Sequence, residues 1–339
     1  MIEIDEGASG NETAALGLPW LVADVGGTNA RFGWVSRPGL QITNVRTLPV
    51  AEHAGLADAV RAYLGGLAKE LGNALHPPRK AAIAVATAVA GDQIDLTNSH
   101  WRFSRLGLQA ELGLQTLLLL NDFEALALSL PRLGAAQLRT SGELPRPAGT
   151  LAVIGPGTGL GVGGVVQTPH GWVAVSGEGG HATLAPADDF EGQLLRHVRR
   201  EFEHVSAERL LSGIGLPVLY RAICAVSGVQ AEALAAESIV ERGAADADAA
   251  CARTLDVFCA LLGGFAGNVA LTLGARGGVY IGGGIVPRLG PRFFASAFRE
   301  RFEAKGRFRA YLESIPTAVI TDTLAALSGA ALAIEQHGR

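Results

Sequence analysis

The sequence predicts an α/β protein of two domains, on three observations. Its 339 residues, 48% of them hydrophobic, can bury a large core and divide into two domains. An apolar run, a tight glycine turn and a second apolar run occur twice, from Trp20 and from Leu151. Short apolar runs of strand length alternate elsewhere with stretches of helical spacing.

Residues 1–18 carry Glu3, Asp5, Glu6 and Glu12 without Lys or Arg, the reverse of the basic start of a secretion signal, and read as a flexible tail. From Trp20, LVADVGGTNARFGWV turns at Gly26 and Gly27 and reads as a hairpin. Ala57 to Leu75 has helical spacing and is broken by Pro77 and Pro78. AAIAVATAV from Ala81 reads as a buried strand, and Leu117 to Leu120 as another that delivers Asn121 and Asp122 to its carboxyl end. LAVIGPGTGLGVGGVV from Leu151 is the second hairpin, and the echo suggests duplication of one α/β unit. Residues 189–275 are mostly helical in spacing; GGVYIGGGIVPRL from Gly277 gives strand, glycine turn and loop, and an apolar helix runs from about Leu324.

Interspersed charge with a net of −4, and no block of Lys or Arg, speaks against nucleic acid or anionic lipid and for a small-molecule partner. Cys224, Cys251 and Cys259 form no CxxC pair, which argues against a disulfide framework or structural zinc and for the cytoplasm. On one helix, Cys251 and Cys259 would stand roughly 12 Å apart, beyond disulfide reach, and they read as core residues. Val257 to Ala275 carries no charge and approaches the length of a membrane span. Asn268 and four glycines interrupt it, so it reads as a buried helix whose glycines let neighbouring backbone approach.

Phosphate binding calls for backbone N–H donors that glycine leaves accessible. Three clusters offer them: Gly26-Gly27-Thr28, Gly155 to Gly161, and Gly282-Gly283-Gly284. Each taken alone is more often just a hairpin turn, and none fits the P-loop or dinucleotide pattern. Asp24, within an apolar strand, needs a partner, which magnesium or its waters would supply; otherwise it caps its own turn. Asp122 is either the N-cap of the helical stretch FEALALSL or the positioned carboxylate that accepts a hydroxyl proton in phosphoryl transfer. Glu178 and His181 flank Gly179-Gly180 with the mixed donors and acceptors that sugars require, though a lone His is more often structural. Glu208, in HVSAERLLSG, reads locally as a helix-surface glutamate behind a capping Ser206.

Together, DVGGTNAR at Asp24, TNSHWRFS at Thr97, NDFEALALSLP at Asn121, GPGTGLG at Gly155, GEGGH at Gly177, HVSAERLLSGIGL at His204 and GGVYIGGGIVPR at Gly277 resemble the bacterial glucokinase family, in the type without a DNA-binding domain or cysteine-rich zinc loop. The resemblance extends along most of the chain from Trp20. It implies a two-domain hexokinase-like (ribonuclease H-like, actin-like ATPase) fold with an interdomain cleft that closes over the sugar. The expected domains are 19–121 plus about 320–339 (small) and 122–319 (large).

The implied reaction passes the terminal phosphoryl group of ATP, with Mg2+, to D-glucose, in a cytoplasmic homodimer with no membrane or nucleic-acid partner. The resemblance makes Asp24, Gly26, Gly27, Thr28 and Asn29 the first phosphate loop, with Asp24 meeting magnesium through water. Gly157, Thr158 and Gly159 become the second loop, and Gly282, Gly283 and Gly284 the adenosine contact. Asn98, Asn121, Asp122, Glu178, His181 and Glu208 become sugar contacts, with Asp122 the catalytic base. Pro156 stands where a small residue is usual, and Ala182-Thr183-Leu184 replaces a more acidic or aromatic run. Two other readings stay open: a sugar-sensing regulator without turnover, and a kinase for mannose, fructose or an amino sugar or one using polyphosphate.

Overall fold

The computed structural model describes residues 17–337 apart from residues 38 and 40; the expected tail lies almost wholly outside them. The chain divides into two compact units, the first reaching Arg132 and resuming at Thr323, the second spanning Leu133–Asp322. The seam expected between residues 121 and 122 thus falls further on, because the helix that begins at Asp122 packs with the C-terminal helix.

In the first unit, β1 (Trp20–Val25) and β2 (Asn29–Val35) form the glycine hairpin, and β3 (Thr43–Pro49) continues it antiparallel. After α1 (Leu56–Leu71) the chain enters β4 (Lys80–Val85), parallel to β1. The small ribbon β5 (Gln93–Asp95) and β6 (Arg102–Ser104), then α2 (Arg105–Glu111), lead into β7 (Thr116–Asn121), parallel to β4, and on into α3 (Asp122–Ser129). The sheet order is β3-β2-β1-β4-β7. β1 and β4 are almost entirely buried, which is why they read as apolar runs interrupted only by Asp24 and opened by Lys80, whereas the edge strand β3 alternates. The C-terminal helix (Ala325–His337) returns to this unit, and Arg132 Nη2 donates to Glu335 Oε2 at 2.7 Å.

The second unit repeats the arrangement. Following the short β8 (Leu138–Arg139), β9 (Thr150–Pro156), β10 (Leu160–Thr168) and β11 (Gly171–Gly177) form an antiparallel meander. Four helices follow: α4 (Asp189–Val198), α5 (Leu216–Val226), α6 (Ala236–Ala244) and α7 (Ala249–Leu273). Residues 199–215 between α4 and α5 are turns, an interruption in the stretch expected to be helical. β12 (Gly278–Ile281) lies parallel to β9. The short helices α8 (Val286–Leu289), α9 (Pro291–Ala295), α10 (Phe298–Glu303) and α11 (Arg309–Glu313) precede β13 (Thr317–Ile320), parallel to β12. The order β11-β10-β9-β12-β13 matches the first sheet strand for strand, with β8 added at the edge, so the echo of two glycine hairpins in the sequence is an echo of topology.

Asp248 caps α7, its carboxylate accepting from Cys251 N–H at 2.7 Å. This helix is long and apolar enough to cross a membrane, but 72% of its most apolar window is buried within the protein, and all three cysteines are buried and free. Two of its three glycines let neighbouring backbone approach, as expected: a Cβ at Gly267 would lie 2.5 Å from the carbonyl oxygen of Phe302, and one at Gly263 would collide with the backbone of Phe298, both on α10, while Gly264 faces open space. Gly263→Val therefore has to push two backbones apart. It is expected to lower unfolding free energy by about 1–3 kcal/mol in urea titrations, as overpacking does.

Candidate functional site

Backbone register builds the first cluster. Asp24, Ala84 and Leu120 are level across the parallel strands β1, β4 and β7, as are Val25, Val85 and Asn121. Two steps of about 4.8 Å bring the ends of β1 and β7 within roughly 10 Å of each other. Asn121 closes β7 and caps α3: its Oδ1 accepts from Phe123 N–H at 2.9 Å, while its Nδ2 donates to the Thr87 carbonyl at 3.1 Å, just beyond β4. Glu124 completes a capping box, accepting from Asn121 N–H at 3.3 Å. The cap is thus Asn121 and not Asp122. Asp122 occupies the first helical position, where its carboxylate also accepts from Phe123 N–H at 2.9 Å.

Asp24 does not wait on a metal for a partner. Arg31, directly opposite in the hairpin, donates to its Oδ2 at 3.2 Å, and the turn itself is closed by Gly26 N–H on the Asn29 carbonyl at 2.9 Å. The Thr28 carbonyl takes Val50 N–H at 2.8 Å, and Thr28 and Asn29 are exposed. Asn98 lies against this turn, so close that a Cβ on Gly27 would be 2.6 Å from its carbonyl oxygen. Burial raises the pKa of Asp24, with Arg31 opposing. Burial also pushes Asp122 up to about 6; the Phe123 N–H opposes this and the negative charge of Asp24 adds to it. The structure therefore brings Asp24, Gly27, Asn98, Asn121 and Asp122 together at one end of one sheet.

The second cluster lies within the other unit. The turn joining β9 to β10 is closed by Gly157 N–H on the Gly159 carbonyl at 2.9 Å and braced by Gly213 N–H on the Gly157 carbonyl at 2.7 Å. Pro156 ends β9, where its carbonyl accepts from Ile285 N–H at 3.3 Å; Gly282 N–H reaches the Ile154 carbonyl at 2.8 Å. These bonds hold the Gly282–Gly284 segment beside the Gly157–Gly159 turn. Glu208 is in a turn, not on a helix, although Ser206 Oγ does accept from Arg209 N–H at 3.2 Å as a local cap would. The Glu208 Oε2 accepts from Leu160 N–H at 2.8 Å, and its Oε1 stands 3.8 Å from His181 Nε2. His181 is exposed, and its N–H donates to the Glu178 carbonyl at 3.0 Å; the Glu178 side chain is exposed. Among the described residues, no group of three or more His, Cys, Asp or Glu side chains is arranged to hold a metal.

Three participants escaped the sequence reading: Arg31, Thr87 and Glu124. Arg31 was accessible from hairpin register, since a turn at Gly26-Gly27 sets it opposite Asp24. Glu124 was accessible as the third residue after a capping Asn. Thr87 enters only through its carbonyl, a group every residue carries, so nothing in the sequence signals it.

The crystal structure of a glucokinase from an Antarctic psychrotroph superposes with a TM-score of 0.86 at 37% identity, covering 93% of this chain and 98% of that one. A ROK family glucokinase from Streptomyces griseus, solved with glucose and AMPPNP, shares the fold at 21% identity with a TM-score of 0.62, covering 93% of this chain and 98% of that one. The class is that of the ATP-dependent sugar kinases, with the hexokinase-like, actin-like ATPase fold. Residues 21–337 match the family model for Glucokinase, and the glucokinase of Chromobacterium violaceum is 50% identical over 320 residues, 94% of this chain and 90% of that protein. The chain belongs to the glucokinase family.

Asp122 makes the stability of the protein depend on pH. Its pKa is about 6 in the folded chain against an ordinary 3.8, so the folded state binds the proton more tightly. That advantage is complete below pH 3.8 and is lost as pH rises through 6. Asp122→Asn removes the ionised form and is expected to stabilise the protein at pH 8 by on the order of 1–3 kcal/mol, with the gain shrinking toward pH 4. Thermal unfolding of both proteins across that range measures it.

Proposed function

We propose that this chain phosphorylates D-glucose at its 6-hydroxyl with ATP, yielding glucose 6-phosphate for glycolysis, with Asp122 as the general base. The carrying observation is the setting of that carboxylate. It is fixed at a helix start by Asn121 and desolvated to a pKa of about 6, which leaves it ionised at neutral pH and still basic enough to take a hydroxyl proton. Family membership, with 50% identity to a named glucokinase, supports glucose as the acceptor.

In this reading Asn98, Asn121, Glu178, His181 and Glu208 hold the sugar hydroxyls, alternating donors with acceptors. The turns at Gly26–Asn29 and Gly157–Gly159 offer N–H groups to the phosphates, and Gly282–Gly284 meets the adenosine. A carboxylate close enough for its charge to raise the proton affinity of Asp122 suits a hydrated divalent cation, and Asp24 is the residue to hold Mg2+ through water. When bound, that ion neutralises phosphate charge. The chain's own work is to orient the hydroxyl, accept its proton at the Asp122 carboxylate and keep water from the phosphoryl group. Cytoplasmic location and a homodimer belong to the same reading, and light scattering of the purified chain reads the assembly.

The test is ADP release with Mg-ATP against glucose, mannose, fructose, N-acetylglucosamine and no sugar, with the product identified. Strong glucose-dependent formation of glucose 6-phosphate is expected; glucose binding without turnover would hand the lead to a sensor role, and faster turnover of another hexose would reassign the substrate. Asp122→Asn should keep sugar binding and lower kcat by about 10²–10⁴-fold. Because the base must be ionised, wild-type kcat/KM should fall as pH drops through about 6, an acid limb absent from the variant's residual activity.

A further inference from the structure

Glu208 is built into two places at once. We propose that, besides contacting the sugar, Glu208 positions the Gly157–Gly159 turn and thereby makes sugar and nucleotide binding mutually dependent. The inference rests on the reading that this turn takes phosphate and that His181 and Glu208 take sugar.

The two oxygens of the carboxylate have separate neighbours. Oε2 accepts from Leu160 N–H at 2.8 Å, the first residue after the turn, and lies so near Gly159 that a Cβ there would stand 2.5 Å from it. Oε1 faces His181 Nε2 at 3.8 Å, too far for a hydrogen bond and wide enough for one hydroxyl oxygen to bond both. Main-chain bonds fix the segment that carries Glu208 at either end. Ala207 N–H binds the Ala182 carbonyl and Glu208 N–H the Gly180 carbonyl, each at 2.9 Å, beside His181. Further on, Gly213 N–H and Ile214 N–H bind the Gly157 and Thr158 carbonyls at 2.7 and 3.3 Å.

The segment is thus a strut between the histidine loop and the glycine turn, and the Glu208 carboxylate is its side-chain contact with both. A hydroxyl that draws on Oε1 redistributes the charge that Oε2 presents to Leu160 N–H, so sugar alters the turn. By linkage, nucleotide on the turn alters sugar affinity by the same factor.

Calorimetric titration of the whole protein with Mg-AMPPNP, with and without saturating glucose, tests this in wild type, Glu208→Ala and Glu208→Gln, each checked for folding by circular dichroism. Glu208→Ala should weaken sugar-free AMPPNP binding by about tenfold, the equivalent of one hydrogen bond to a charged acceptor. Glu208→Gln keeps an acceptor for Leu160 N–H, so sugar-free nucleotide affinity should return close to wild type while its dependence on glucose is lost. Unchanged sugar-free affinity in folded Glu208→Ala overturns the inference, because a residue that only touches sugar would give that result. If the alanine variant does not fold, Glu208→Gln decides alone, and full glucose dependence retained there overturns the inference. Wild type that neither binds AMPPNP nor phosphorylates glucose overturns the proposed function with it; wild-type turnover beside an indifferent Glu208→Ala overturns this inference alone.

Discussion

Asn121 holds two elements with one side chain, and the first cluster depends on that grip. Its amide donates to Thr87 beyond β4 and its carbonyl oxygen caps α3, so the end of β7 and the start of the helix are fixed to the neighbouring strand together. Since β1, β4 and β7 run in parallel register, the polar groups just past their ends have nowhere to go but toward one another. The place of Asp122 follows from backbone pairing before its own chemistry enters.

What that chemistry becomes is set by a contest between burial and hydrogen bonding. Asp24 has a guanidinium directly opposite; Asp122 has neutral hydrogen-bond donors, the Phe123 N–H foremost, and the unfavourable field of Asp24. Burial makes both carboxyls hold their protons more firmly than in water, and the charge of Asp24 adds to the effect at Asp122. In the second unit the same kind of turn at the same place in the sheet carries no Asp24 counterpart among the groups described here. Its carboxylate, Glu208, arrives from a distant segment and binds the backbone of the turn.

Much of this was legible in the sequence, for reasons tied to range. Both hairpins announce themselves through glycine between apolar runs, and Asn121-Asp122 stands out as a polar pair closing LLLL. The conformation of Glu208 was hidden, because HVSAERLLSG has a locally good helical beginning; the bonds that hold the segment as turns, to Leu160 N–H and to the Gly157 and Gly180 carbonyls, come from distant parts of the chain. Asp122 illustrates the same limit more mildly: read locally it caps α3, yet Asn121 takes that place while its amide donates to the Thr87 carbonyl just beyond β4.

The return of the chain's last helix to the first unit has a consequence for biosynthesis. The second unit is one continuous stretch, complete once Asp322 has been made, whereas the first waits for its final helix, whose Gly329 seats against the backbone of Ala125 and whose Leu327, Ala330 and Ala331 are buried. On the ribosome, the unit that begins first finishes last. Until then the apolar faces of α3 and β4 that this helix covers stay open to solvent, and a nascent chain stalled late in synthesis exposes surface that chaperones and proteases recognise.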